Sequence, residues 1–259
     1  MKYIAKVKKP LKRPVKIALL VLCAVVIAVL VVVANVARSR SQVRGLEVVV
    51  RYGDTPELVD RQVVADSVLS RVPGLLHQRV KSVDCHRVAA AASRVPYLDN
   101  VSASVSVSGK VVVRADQRRP IARLYYGSRE FYIDRQGHLF PPSDKGFCNV
   151  LVAGGEFAEP LRLDSLNAQV SALWRLALFL DEQADYGALI DQAFVLRNGD
   201  VMMVPKVGDH IVELGDVDDL DNKFSNLLAF YRKGMPRAGW NSYSKVSLKF
   251  KGQVVCTKK

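Results

Sequence analysis

Between Val101 and Val107 apolar and polar side chains alternate without a break, with Val101, Ala103, Val105 and Val107 set against Ser102, Ser104, Ser106 and Ser108. A period of two predicts a strand with one face buried and one face wet. Ser108-Gly109 then predicts a tight turn, and Lys110–Asp116 the returning strand. Upstream, Leu46–Tyr52 is rich in β-branched residues and predicts another strand, broken by Gly53-Asp54-Thr55-Pro56. Val59, Val63, Val64 and Val68 recur at helical spacing and predict a helix to about Ser70, ended by Val72-Pro73-Gly74. Asp84 is placed to cap a second helix through Ala89, Ala90, Ala91 and Ala92, which stops near Val95-Pro96. The order is β-α-α-β-β, and one apolar sheet face can bury both helices.

Gln117-Arg118-Arg119-Pro120 predicts a boundary, because proline cannot donate to a ladder. Beyond it Phe131-Tyr132-Ile133 and His138-Leu139-Phe140 flank Asp134-Arg135-Gln136-Gly137, a four-residue hairpin loop. Leu166, Val170, Leu173, Ala177 and Leu180 form one helical stripe. Asn198-Gly199 joins Phe194-Val195-Leu196 to Val201-Met202-Met203-Val204, the strongest short hairpin signal in the chain. His210–Leu214 predicts a further strand. Leu220, Phe224, Leu227, Leu228 and Tyr231 predict a helix that stops near Gly234. At the end Val246, Leu248 and Phe250 alternate with Lys245, Ser247, Lys249 and Lys251, which predicts one terminal strand. This second unit is expected to be mainly β with two covering helices.

One segment follows neither period. From Ile17 to Ala37 there are 21 residues without a charge. As a helix they reach about 31 Å, which matches a hydrocarbon core of about 30 Å. A cleaved signal peptide has a shorter apolar core and a small-x-small step, and Ala34-Asn35-Val36-Ala37-Arg38 lacks one. Charge then orients the segment. Residues 1–44 hold ten Lys and Arg and no acid, which leaves +3 of the net +13 for everything that follows. Seven of the ten precede the apolar run, so the N-terminus is expected in the cytoplasm and residues 38–259 outside it. A body this close to neutral argues against a broad nucleic-acid surface.

Catalytic chemistry is hard to find. The chain has no G-x-S-x-G elbow, H-E-x-x-H or Walker loop, and His77, His86, His138 and His210 are scattered over different elements. Cys23 falls in the apolar run. Cys85, Cys148 and Cys256 are odd in number and match no disulfide framework or zinc spacing, so they are expected to be packing residues, with pairing left open. The acids Asp216, Asp218, Asp219 and Asp221 lack the glycine and distal Glu of a calcium loop and suit a helix start instead. Trp174 and Trp240 suit core or interface. No catalytic, cofactor-binding or metal-binding residue is expected.

In order and spacing the motifs resemble the bacterial cell-division family FtsQ/DivIB. Asn100–Pro120 (NVSASVSVSGKVVVRADQRRP) is similar to the family's final hairpin in its POTRA domain. Tyr132–Phe140 resembles its D-x-x-G-x-x-F hairpin, and Glu213-Leu214-Gly215 with Lys223 and Leu227 its L-G strand and following helix. Val246–Val255 (VSLKFKGQVV) is similar to its closing strands, although Cys256-Thr257 stand where some members carry an aromatic end. The resemblance implies an α+β protein with a basic cytoplasmic tail (1–16) and a transmembrane helix (17–37). A POTRA-like β-α-α-β-β domain (38–119) and a mainly antiparallel C-terminal β domain (120–259) follow. It implies a non-enzymatic divisome scaffold, single-pass in the inner membrane at the division site, that works with other divisome membrane proteins. Its partners would be FtsB-like and FtsL-like coiled-coil proteins, taken up by strand addition and helping to control septal peptidoglycan synthesis. The matching positions are Lys245, Val246, Ser247, Leu248, Lys249, Phe250, Lys251, Gly252, Gln253 and Val254.

The residues support the same segment independently. Lysines along a terminal strand mark an edge defended against random pairing, yet its free N–H and C=O groups still accept a chosen strand. On this reading Val246, Leu248 and Phe250 face the core, and the lysines are placed to meet an acidic partner. Taken without the resemblance, the lysines favour the plainer role of keeping the edge soluble, and the resemblance turns the choice to binding. A reading from another class is a membrane-anchored envelope enzyme or secretion accessory with its site in the second unit. A polar cleft with convergent carboxylates would favour it.

Overall fold

A computed structural model describes residues 13–162 and 165–259, with the side chains of 13–19 and 34–40 excepted. It opens on α1 (Arg13–Arg40), 28 residues long. Of the expected membrane segment only the side chains of Leu20–Val33 are described. They stand open all round the helix, with Leu20 at 70%, Ile27 at 61% and Leu30 at 62% exposure. Among the described residues no helix is long and apolar enough to cross a membrane. The side chains at both ends of the expected span, and the tail before Arg13, lie outside the described residues.

A small sheet follows. Its elements are β1 (Gly45–Arg51), α2 (Arg61–Arg71), α3 (Cys85–Ala92), β2 (Leu98–Val105) and β3 (Lys110–Gln117). The strand order is β1-β3-β2, with β1 parallel to β3 and β2 antiparallel to it. Parallel pairing demands a crossover, which the two helices supply. The central strand β3 is the most apolar, and Val111, Val112 and Val113 are all buried. Asp84 accepts the Arg87 N–H at 3.1 Å and so caps α3. The helix before it is shorter than the valine spacing predicts. It starts at Arg61, so Val59 precedes it and Val63 is exposed, while Val64 and Val68 are buried in the core and Leu69 packs against it. The other face of the sheet is polar, with Arg51 paired to Asp116 and Lys110 to Glu47.

The larger sheet collects β4 (Pro120–Tyr126), β5 (Arg129–Asp134), β6 (Leu139–Phe140), β7 (Leu151–Gly155), β8 (Ile190–Val195), β9 (Val201–Pro205), β10 (Ile211–Gly215), β11 (Tyr243–Ser247) and β12 (Val255–Lys258). Its order is β12-β11-β10-β9-β8-β7-β4-β5-β6. The pairs β4–β7, β7–β8 and β10–β11 are parallel and the others antiparallel. Helices α4 (Ala168–Glu182), α5 (Ala184–Gly187), α6 (Leu220–Lys233) and α7 (Met235–Ala238) complete the chain. Asn167 caps α4 by accepting the Val170 N–H at 2.9 Å, which leaves Leu166 outside the helix that its spacing suggested. Leu173, Leu176, Phe224 and Leu227 from α4 and α6 close over Met203, Val212 and Leu214 to make the core.

Strand β7 ends in Gly154-Gly155, a poor strand signal on propensity. The sheet needs it because a Cβ on Gly155 would lie 2.5 Å from the Val195 carbonyl oxygen of the neighbouring strand. The two sheets meet through Leu58, which packs with Tyr132, Phe140 and Cys148. Gln117, at the end of β3, is buried there. Its Oε1 accepts the Leu58 N–H at 2.6 Å, and its Nε2 donates to Pro56 O at 2.8 Å and Thr55 Oγ1 at 3.0 Å. Buried Asp134 accepts from Arg118 at 2.7 Å and from the N–H groups of Gln136 and His138, so one carboxylate shapes the D-x-x-G loop and ties it to the junction. The indole N–H of Trp174 donates to the Asp134 carbonyl at 3.1 Å.

Candidate functional site

Val246 fixes how the end of the chain lies. Its side chain is fully buried in the core of the large sheet. Parallel pairing with β10 sets Ile211 beside Lys245, Val212 beside Val246 and Glu213 beside Ser247. Antiparallel pairing with β12 sets Lys245 against Thr257, Val246 against Cys256 and Ser247 against Val255. Strand β11 is therefore sealed on both flanks. The Leu248 N–H extends its ladder to Glu213 O at 2.8 Å.

This corrects the expectation of one exposed terminal strand from Lys245 to Val254. Lys245, Val246 and Ser247 belong to an interior strand, and Leu248 is buried behind it. Lys249, Phe250, Lys251, Gly252 and Gln253 form the turn, with Gly252 at φ 69 and the Gln253 N–H bonded to Phe250 O. Val254 is half-buried against the core. Phe250 does not face the core. It is 56% exposed and lines a groove of about 270 Å³ with Asn222, Asn226 and Gln253. Alternation across 245–251 looks continuous in sequence, but a positive-φ glycine between two β-branched runs is a turn signal that could have divided it.

Two of the three lysines already have carboxylates. Lys245 Nζ lies 3.5 Å from Glu213, and Lys249 Nζ 2.8 Å from Asp200. Lys249 reaches Asp200 across Gly215, where a Cβ would lie 2.7 Å from its stem. That hydrogen bond holds Asp200 below the ordinary carboxylate range. The Asp216–Asp221 acids are dispersed as well: Asp216 binds Lys223 at 2.7 Å, Asp218 binds Arg175 at 3.1 Å, and Asp219 makes no side-chain cap.

One end of the large sheet is β6 and the other is β12, which sequence reasoning missed. Ladder alternation decides which of its groups point outward. Leu248 bonds towards β10, so Val246 does too, and Ser247 and Lys245 turn to Val255 and Thr257. The Lys259 N–H donates inward to Ser242 O at 3.2 Å, consistent with that phase. Cys256 is left with its backbone groups facing out and Lys258 with its N–H, while the Lys258 carbonyl accepts from the Ser244 hydroxyl at 3.4 Å. The Cys256 side chain packs inward, and burial pushes its thiol pKa up. Surroundings are cationic: residues 220–259 hold nine Lys and Arg against one acid, Asp221, whereas residues 45–219 sum to −5.

A polar cleft of about 660 Å³ also opens at the junction, lined by Asp54, Arg119, Asn149, Asp181, Asp191 and Lys206 among others. Of its carboxylates, Asp181 is held by Arg119 at 2.6 Å and by Arg135 at 3.2 Å. No histidine lines it. Among the described residues no cluster of three potential metal ligands forms, and all four cysteines are unpaired.

A family model described as FtsQ/DivIB, C-terminal related, matches residues 119–257, which run from the start of the large sheet to β12. The chain belongs to this family. Membership gives it a role in cell division, within a family of non-enzymatic division scaffolds that interact with divisome proteins and associate with the membrane at the division site. No curated protein matches the chain.

Proposed function

We propose that this FtsQ/DivIB-family chain is a membrane-tethered divisome scaffold that recruits FtsB-like and FtsL-like proteins by strand addition along β12. The tether is α1, with the N-terminus in the cytoplasm. The two exported units, 38–119 and 120–259, carry the POTRA-like and docking parts. Support for the tether is the ring of exposed aliphatic side chains from Leu20 to Val33, since a helix apolar on all sides needs apolar surroundings. Support for the docking rail is the observation that carries the proposal: β12 is the last strand of the sheet, with outward backbone groups at Cys256 and Lys258. An added strand gains its affinity from those groups and its selectivity from alternate side chains. Lys251 and Lys258, which have no carboxylate partner among the described residues, favour an acidic segment. The segment 245–254 then acts as the support and turn of the rail rather than as the rail itself.

The test is capture of the FtsB-like protein by the full chain. Lys258→Pro removes one outward N–H and leaves the inner ladder intact, so it should abolish capture while changing stability by no more than about 0.5 kcal/mol. Photocrosslinkers placed from Val255 to Lys258 should trap the partner at alternate positions. Unchanged capture by Lys258→Pro would overturn the assignment of β12.

A further inference from the structure

The segment 41–44, which joins α1 to the small sheet, is not a free linker. The Val80 N–H donates to Ser41 O at 2.9 Å, and Gln42 bridges Arg79. The Val43 N–H donates to Gln78 O at 3.0 Å, and the Arg44 N–H to Gly109 O at 2.9 Å. The chain that leaves α1 at Arg40 is therefore zipped onto the small unit before β1 begins at Gly45. Its partners are the 3₁₀ turns Leu75–His77 and Val80–Ser82 and the tip of the β2–β3 hairpin, residues 106–110. A segment of this length spans at most about 14 Å even when extended. The base of the small unit is thus fixed close to the end of α1.

The three segments that meet there share a composition. Residues 45–119 hold eight Asp and Glu, yet none falls in 67–83 or 100–115, and none in 38–46. Arg44, Arg79 and Lys81 are exposed and meet no carboxylate among the described residues. Lys110 is paired with Glu47 at 3.4 Å, and Asp84, the next acid after the turns, is occupied in capping α3. Among the free cations stand two aliphatic side chains, Leu76 at 38% exposure and Val107 at 86%. Single exposed aliphatics are ordinary on a protein surface. These two each lie two residues from a carbonyl bonded to the 43–44 backbone, Gln78 and Gly109, so they belong to the same small basic face. Buried Leu75 anchors the turn that holds Leu76 outward.

We propose that this base seats the small sheet on the anionic headgroups of the membrane that α1 enters, with Arg44, Arg79 and Lys81 on the lipid phosphates and Leu76 and Val107 dipping between them. The inference rests on the reading of α1 as a tether. Each basic residue close to an anionic surface strengthens attachment by roughly fivefold. That attraction fades over a Debye length of about 8–10 Å, so the cations must be kept near the surface. The bonded 41–44 segment keeps them there, where a flexible linker would let them drift away. Aliphatic side chains at the headgroup boundary add apolar burial to the electrostatic attraction. Seating fixes the tilt of the small unit. Through Gln117 and Leu58 at the junction it also sets how the large sheet, and with it β12, stands above the membrane.

The test uses the full chain reconstituted with vesicles of phosphatidylcholine, alone or mixed with phosphatidylglycerol. Flotation with the vesicles reads the tether. A benzophenone amino acid placed at residue 76 or 107 reads the seating, as lipid adducts detected by mass spectrometry. Adducts at both positions should rise about fivefold or more when phosphatidylglycerol is present, while the same probe at Phe250, exposed on the large sheet, stays at background. Arg79→Glu with Lys81→Glu changes only exposed side chains and should return the adducts to the phosphatidylcholine level, as should salt at about 0.5 M. A chain that floats but gives equal adducts with and without phosphatidylglycerol, or keeps them in the double variant, would overturn the seating and leave the tether standing. A chain that floats with neither vesicle would overturn the tether and the seating together.

Discussion

At β2 the open edge runs through Val101–Val105 without a charge, while at β12 it runs through Val255–Lys258 and ends in two lysines. The first belongs to a three-stranded sheet with two short helices, the second to a nine-stranded sheet covered by two long ones. The difference lies in how each edge is kept from wrong partners. Lys258 at β12 repels cations and holds water, which discourages chance pairing, while Lys259 is held by Asp209 at 2.7 Å. β2 has no such charge from Val101 to Val105 and is bent by the bulge at Asn100. The unpaired backbone groups are alike at either edge, so any discrimination between strands has to come from side chains next to the ladder, and these differ between the two sheets.

The comparison rests on β11 being interior and β12 being the edge. Val246→Asp would bury an unpaired charge at a site with no exposure and should destabilise the large sheet by roughly 4 kcal/mol or more. Phe250→Asp, on the exposed turn, should change stability by no more than about 0.5 kcal/mol. Urea titration of the two variants measures both. Equal losses would restore a continuous strand through Phe250 and remove the contrast.

A smaller effect tests whether the two sheets behave as one body. Gln117→Leu deletes three junction hydrogen bonds and orphans the Leu58 N–H, at a cost of roughly 2–4 kcal/mol. Unfolding followed separately by probes in each sheet should change from coincident to staggered transitions. Coincident curves in the variant would show that Leu58 packing alone couples them.

The smallest effect is specific to the β12 side. His210 is buried with its Nε2 at 2.8 Å from the Tyr231 hydroxyl, and burial lowers its pKa from the ordinary 6.5. The Asp209 charge opposes that shift and Lys259 reinforces it. A histidine held neutral in the fold binds protons more readily when unfolded. Its stabilising contribution is therefore complete above about pH 6.5 and declines as pH falls from there towards the lowered value. Thermal melts between pH 7.5 and 5 should show this loss at the large sheet, and His210→Gln should flatten it. An unchanged slope in His210→Gln would remove His210 from the account.

Much of the local structure was legible because its causes are local. Asp84 and Asn167 cap helices through their own side chains, Asn198-Gly199 turns on its own backbone preference, and Val101–Val105 alternates as a strand one residue deep in contact with solvent. Strand β7 was not legible, since Gly155 is required by the closeness of Val195 on a strand forty residues later. Edge identity was hidden for a related reason. Lys245 and Lys249 look like solvent-facing guards until Glu213 and Asp200, distant in sequence, are found beside them.

From the sequence alone came the α+β class, the run of elements, the apolar N-terminal segment and the likeness to a division family, because periodicity, caps and turns act over a few residues. The fold alone decided which strand ends each sheet and which lysines are already neutralised. Those outcomes depend on pairing between segments far apart in the chain, and a strand carries no local mark of whether its second flank will be filled.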